Sequence, residues 1–190
     1  MSKTQVLELL AGHTAFDHEE ARNLVLTEHF VRQAPRPFDR VHDWGGHLCG
    51  SALVTNLDGS RVLLNKHGTI GRYMQFGGHA DGETDMFGVA ARELAEEAGI
   101  EGARTSGQLF DVDVHYIAPH MRKGEVVPPH VHYDLVWLFQ VPDDVAFKMS
   151  EESSELQWFE LAEAQALDLQ APVKNPQLQR LFAKVAAGLR

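Results

Sequence analysis

Apolar positions recur at helical spacing at the start of the chain. In "TQVLELLAGH", Val6, Leu7, Leu9 and Leu10 form a broad apolar face that stops at Gly12. "DHEEARNLVLTEHFVRQAP" opens with Asp17 as a capping residue and ends before Pro35, so residues 3–34 read as helical. Residues 35–45, "PRPFDRVHDWG", read as a linker or an irregular cover. The character then changes to strand: "HLCGSALVTN" (47–56) and "RVLLNKH" flank "NLDGS", where Asp58-Gly59 supplies the positive φ of a hairpin. "GRYMQF", 71–76, reads as a short third strand.

A helix is expected from about Thr84 to Ala98, with Thr84 or Asp85 as N-cap and Gly99 as its left-handed stop. "GQLFDVDVHYIA" alternates as a strand, and "PHMRKGEVVPPH" reads as a loop with a charged tip. "VHYDLVWLFQV" is apolar on both faces in its middle, which predicts a central strand. After the polar "PDDVAFKMSEESSE" come a last strand, "LQWFEL", and a short helix, "LAEAQAL". "NPQLQRLFAKVAAGLR" closes as an amphipathic helix with Leu178, Leu181, Phe182 and Val185 inward. Helices, strands, one helix, strands, helix: the order predicts a mixed sheet covered by helices.

Composition narrows the function. The 190 residues fit one domain with an appendage, and 44% hydrophobic content suits a soluble globular core. A formal net charge of -10 repels nucleic acid, so no DNA partner is expected, and anionic substrates would need bound cations. Acidic residues interrupt the start too early for a secretory signal. No apolar run approaches the roughly 20 residues that span a bilayer. The expectation is a cytoplasmic protein without a membrane partner. The single cysteine, Cys49, excludes an internal disulfide and reads as a small buried hydrophobe.

The helix after the glycine-rich turn carries the chemistry. At about 100° per residue, Phe87, Ala91, Leu94 and Ala98 form its core stripe, and Glu93, Glu96 and Glu97 converge on the other side. Like charges at this spacing cost a helix roughly 0.2–0.5 kcal/mol per pair. By itself such a run is what a solvated helical face carries. Gly77-Gly78 and Gly82 just before it, and Arg92 within it, change the reading. Glycines let the backbone approach a ligand, and a guanidinium can pin a carboxylate. A hard divalent cation, Mg²⁺ or Mn²⁺, would turn the repulsion among the acids into attraction.

"RELAEEAGI" matches the second half of the Nudix box without a mismatch, and "GGHADGE" resembles the turn that begins it, with one residue inserted between Glu83 and Arg92. The chain is therefore similar to the Nudix superfamily over roughly residues 46–170. The resemblance implies an α/β fold, the Nudix-type α/β/α sandwich with a mixed β-sheet, as a domain of residues 46–190 behind a helical N-terminal extension of residues 1–45. It implies a hydrolase that cleaves the diphosphate of a nucleoside diphosphate linked to another group, by attack of water on phosphorus. Glu93, Glu96 and Glu97 would hold the metal with a backbone carbonyl near Gly77 or Gly78. Arg92 would orient the carboxylates, and Glu83 would support it or bind metal through water. The base would be Glu97, or an acid before the last strand, Glu152 or Glu155. The alternatives are a non-catalytic ligand sensor and an isopentenyl-diphosphate isomerase-like enzyme, for which Cys49 alone is a weak match.

His79 lies within the turn and could touch substrate phosphates. Lys66 and Arg72 could meet the far phosphate, or be solvated. His130, His132 and Asp134 share a strand face with His115 on a neighbouring strand, a row that could bind a transition metal, contact phosphate, or simply be hydrogen-bonded. The sequence lacks the tight four-ligand spacing that zinc prefers. Tyr73, Tyr133, Trp137 and Phe159 are the aromatics able to stack on a base. Gly88 costs the helix about 1 kcal/mol, and close packing on the sheet would account for it. The first 45 residues could form a lid, a homodimer contact or a cover.

Overall fold

The structure is a computed structural model that describes residues 2–40, 45–68, 71–122, 124–150, 153–170 and 175–189. Two helices come first, α1 (Lys3–Ala11) and α2 (His18–Gln33). Ser2 and Gln5 form a capping box on α1, and Asp17 accepts the Glu20 N–H to cap α2. The strands β1 (Gly46–Asn56), β2 (Arg61–His67), β3 (Tyr73–Met74) and β4 (Phe76–His79) lead to helix α3 (Met86–Ala98). Next come β5 (Leu109–Ile117), β6 (His120–Arg122), β7 (Glu125–Val127), β8 (His130–Val141) and β9 (Ser153–Glu160). Helices α4 (Leu161–Gln170) and α5 (Pro176–Ala186) end the chain.

The main sheet runs β3-β2-β1-β8-β5, with β4 also on β1 and β9 also on β2. β1 and β8 are parallel, and the other pairs are antiparallel, so the sheet is mixed. Leu48, Ala52 and Val54 of β1 face one core, with Leu94 of α3 and Val31 of α2. Leu53 faces the other, with Leu178, Leu181 and Phe182 of α5. Helices thus cover both faces, giving the expected α/β/α sandwich with a central β8.

Four readings change. Residues 120–127 are not a plain loop: β6 and β7 form a two-stranded ribbon, paired His120 to Val127. Segments of three residues are too short to show alternation, and only pairing defines them. The expected strand 71–76 divides into β3, on β2, and β4, on β1. α3 begins at Met86, not Thr84, and Asp85 is its N-cap position. Its buried residues are Met86, Val89, Ala90, Leu94 and Ala98. Phe87 and Ala91 pack only partly, because the helix is rolled to bring Val89 over Gly50.

β5 is an edge strand, and its outward backbone is sealed by side chains. Val112 N–H donates to Glu20 of α2 at 3.2 Å, and Lys184 of α5 donates to the Phe110 carbonyl at 2.6 Å. Such capping removes the unpaired ladder that invites strand addition. The seal is charged and buried. Lys184 Nζ lies 2.6 Å from both Glu20 and Asp111, and Arg180 donates to Asp111 at 2.8 Å and Asp113 at 2.8 Å. Burial alone would raise the Glu20 pKa. The His13 and Lys184 hydrogen bonds overcome it and bring it from 4.5 down to about 2.

Removing one member of a buried ion network strands its partners, at about 3–5 kcal/mol. Lys184→Met is expected to lose that much in urea unfolding. The Glu20 contribution, with its folded pKa depressed, is present above pH 4.5 and is lost as pH falls towards about 2. Glu20→Gln should therefore show a shallower loss of stability than the parent across that window.

Candidate active site

The site forms where β4 meets α3. β4 pairs with β1 so that Gly77 lies opposite Ser51 and Gly78 opposite Gly50. Neither glycine could gain a side chain without moving a neighbour. A Cβ on Gly77 would enter the Ser51 hydroxyl, and one on Gly78 would enter the Glu93 carboxylate. The Glu93 carboxylate therefore occupies the space that the missing side chain of Gly78 leaves.

Arg92 gathers the acids. Its Nη1 donates to Glu93 at 2.9 Å and to Glu96 at 3.2 Å, and its Nε to Glu83 at 3.3 Å. Nη2 reaches the His79 carbonyl at 3.4 Å. Burial works to lower the Arg92 pKa, but the charges of Glu93 and Glu96 prevail and raise it. Glu97 instead accepts the Gly77 N–H at 3.2 Å, which ties α3 to β4. One guanidinium thus faces three carboxylates, with a fourth anchored beside it. This excess of anionic oxygens suits a hard divalent cation. Gly88 is not held small by the sheet. A Cβ there would lie 3.1 Å from Glu83 Oε1 and 3.0 Å from Asp85 Oδ2, so the glycine leaves room for the acids of the turn.

A cavity of about 540 Å³ opens over β4, β1 and β8, lined by Gly77, Gly78, His79, Arg72, Gln75 and His132 among others. His79 and Arg72 thus line the same cavity as the glycine turn. His79 Nδ1 accepts Arg40 Nη2 at 2.6 Å, and Arg72 pairs with Asp168 at 3.2 Å. Lys66 is turned away: it pairs with Glu155 at 3.6 Å, lies over the Tyr73 ring, and does not line this cavity. Glu155 also accepts the Tyr73 hydroxyl at 2.7 Å, and burial followed by that carboxylate pushes the phenol up to about 12. Glu152 lies outside the described residues. Of the candidate stacking aromatics, Trp137 is buried, Tyr133 is stacked on Phe30 at 4.0 Å, and Tyr73 packs edge-on to Phe159 at 4.8 Å.

Sequence reading missed Arg40, which grips Asp81 through two hydrogen bonds of 2.9 Å and so anchors the turn. Nothing local announces it, since 41 residues separate the pair. It also missed Gln177, which joins Gln75 at 2.9 Å and Asp134 at 2.7 Å across the cavity wall.

The family model of the NUDIX domain matches residues 47–181. The chain belongs to the Nudix family. No curated protein sequence matches it. Among solved structures, the Escherichia coli dihydroneopterin triphosphate pyrophosphohydrolase is similar at 14% identity and a TM-score of 0.59, covering 74% of this chain and 95% of its own. A Caenorhabditis elegans Ap4A hydrolase complex has 21% identity and a TM-score of 0.52, over 75% of this chain and 96% of its own. The NUDIX domain of Shewanella oneidensis NrtR, complexed with ADP ribose, has 16% identity and a TM-score of 0.52, over 85% and 97%. At these identities the likeness is one of fold.

Gly78→Ala is expected to displace the Glu93 carboxylate while the core is untouched. Turnover should fall by about 10²-fold, the usual effect of misplacing a reacting group by an ångström. Steady-state kinetics beside a thermal melt shifted by only a few degrees would show it.

Proposed function

We propose that this protein hydrolyses the diphosphate of a nucleoside diphosphate linked to another group, with Mg²⁺ or Mn²⁺ held by Glu93, Glu96, Glu97 and a carbonyl at Gly78. One observation carries the reading: carboxylates on one face of α3 are gathered at a glycine turn whose missing side chain makes room for one of them. The donor set is all oxygen, as these hard ions require. When bound, such ions neutralise phosphate oxygens and lower the pKa of a coordinated water.

The residues divide the remaining work. Arg92 holds Glu93 and Glu96 in place, and Glu83 holds the Arg92 fork from its other side. Glu97 is fixed by the Gly77 N–H and is the acid to take the proton from the attacking water. His79 and Arg72, on the cavity wall, offer nitrogen donors to phosphate oxygens. Glu155 is committed to Tyr73 and Lys66 and is not assigned as base. In this reading residues 1–45 are an extension to a catalytic unit of residues 46–190, and they serve to seal β5.

The test is phosphate or nucleotide release across a panel of sugar nucleotides, dinucleotides and nucleoside triphosphates. Turnover should require Mg²⁺ or Mn²⁺ and vanish with chelator. Glu93→Gln, Glu96→Gln and Glu97→Gln, made singly, should each lower kcat by about 10²-fold or more with the fold intact. Ligand binding without turnover across the whole panel would instead establish a sensor. Undiminished turnover in the triple variant would refute the carboxylate site.

A further inference from the structure

The face of β1 that meets α5 changes character along its length. Leu53 belongs to the core, whereas His47 and Cys49, at the other end, belong to a cluster of histidines. Strand register builds that cluster. Cys49 lies opposite His79 on β4, and His47 lies beside His132 on β8. Neighbouring strands are about 4.8 Å apart, so all four side chains meet on one face. The rings of His47, His79 and His132 have centroids separated by 4.8, 4.9 and 5.0 Å. One nitrogen or sulfur from each of the four residues lies within 4.8 Å of the others.

We propose that His47, Cys49, His79 and His132 form a second metal site, distinct from the carboxylates of α3, that takes a borderline-soft divalent ion of the Zn²⁺ type. The donors are three imidazoles and one thiol, the opposite chemistry to the oxygen-only set around Arg92. Such donors select zinc over magnesium. His132 is prepared for the role by its neighbours. His130 Nδ1 faces the Pro128 carbonyl at 2.8 Å and must donate, which leaves His130 Nε2 as an acceptor. His132 Nε2 is 3.1 Å from that nitrogen and therefore carries the hydrogen, so its lone pair is on Nδ1. A metal-binding histidine characteristically donates its other N–H to a partner in this way.

Metal capture needs modest movement. A tetrahedral zinc with these donors has edges of about 3.3–3.6 Å, so donor pairs at the 4.8 Å limit must close by about 1.2–1.5 Å. His79 Nδ1 already accepts Arg40, and an ion bound there replaces the guanidinium, which retains Asp81. The Cys49 proton leaves to solvent as the thiolate forms. Four protein donors complete the coordination sphere, so the ion is structural. It fastens β4 to β1 and β8 at His79, the residue after Gly78, and thereby stiffens the turn on which the carboxylate site is built.

Untagged protein of this sequence, purified without chelator, should carry about one zinc per chain. X-ray absorption at the zinc edge should find one sulfur and three nitrogen neighbours; an all-oxygen shell, or no retained zinc, overturns the proposal. After zinc removal, Co²⁺ should produce a thiolate charge-transfer band and the intense visible bands of a tetrahedral site. Cys49→Ser should abolish the former, and His47→Gln should weaken cobalt binding at least about tenfold. The triple variant Glu93→Gln, Glu96→Gln, Glu97→Gln should keep the full cobalt spectrum. If it loses that spectrum while circular dichroism shows it folded, the ion sits among the α3 carboxylates and the second site does not exist.

Discussion

The constraint on which the rest depends is the position of β1. It pairs in parallel with β8 along its whole length, from Gly46 beside Val131 to Asn56 beside Val141, and antiparallel with β4 and β2 on its other edge. Because side chains alternate, one slip of register would move every residue of β1 to the opposite face. The glycine turn, the Glu93 cradle and the histidine cluster all follow from this single alignment. Gly50 is where α3 meets it: a Cβ there would press on the Met86 carbonyl at 2.8 Å and on Val89 at 3.0 Å, so α3 can approach only over a bare backbone.

Electrostatics then shapes each end of the sandwich differently. At the α3 end, anionic groups outnumber the one guanidinium that gathers them. At the β5 edge, Glu20, Asp111, Asp113, Arg180 and Lys184 are nearly balanced and closed from water. A balanced, hydrogen-bonded network of this kind is rigid and makes no demand for an added ion. The first two helices enter the fold through it, and through Val6, Leu10, Phe30 and Val31 in the core beneath the sheet. Those helices are thus part of the same packing that holds α3.

The clustering of carboxylates around Arg92 was legible because its members lie close in sequence. Glu93, Glu96, Glu97 and Arg92 share two turns of one helix, and helical geometry alone brings them together. The same holds for the α5 face of Leu178, Leu181, Phe182 and Val185, all buried as the spacing implies. The partner of Gly88 was not legible, since its neighbours Glu83 and Asp85 reach it only after the turn has folded back. Nor was the pairing of Lys66 with Glu155, which depends on β2 and β9 being neighbours.

What the chain decided by itself is therefore local: element types, the acid-bearing face of α3, and the glycines where the backbone must pass close to another group. What only the tertiary structure decided is which distant residues share a surface. His47 and His132 are 85 residues apart, and with Cys49 and His79 they have no metal-binding spacing along the chain, yet strand pairing sets the four side by side. Periodicity encodes which face of an element a residue occupies, whereas strand order, which no single segment contains, decides what that face meets.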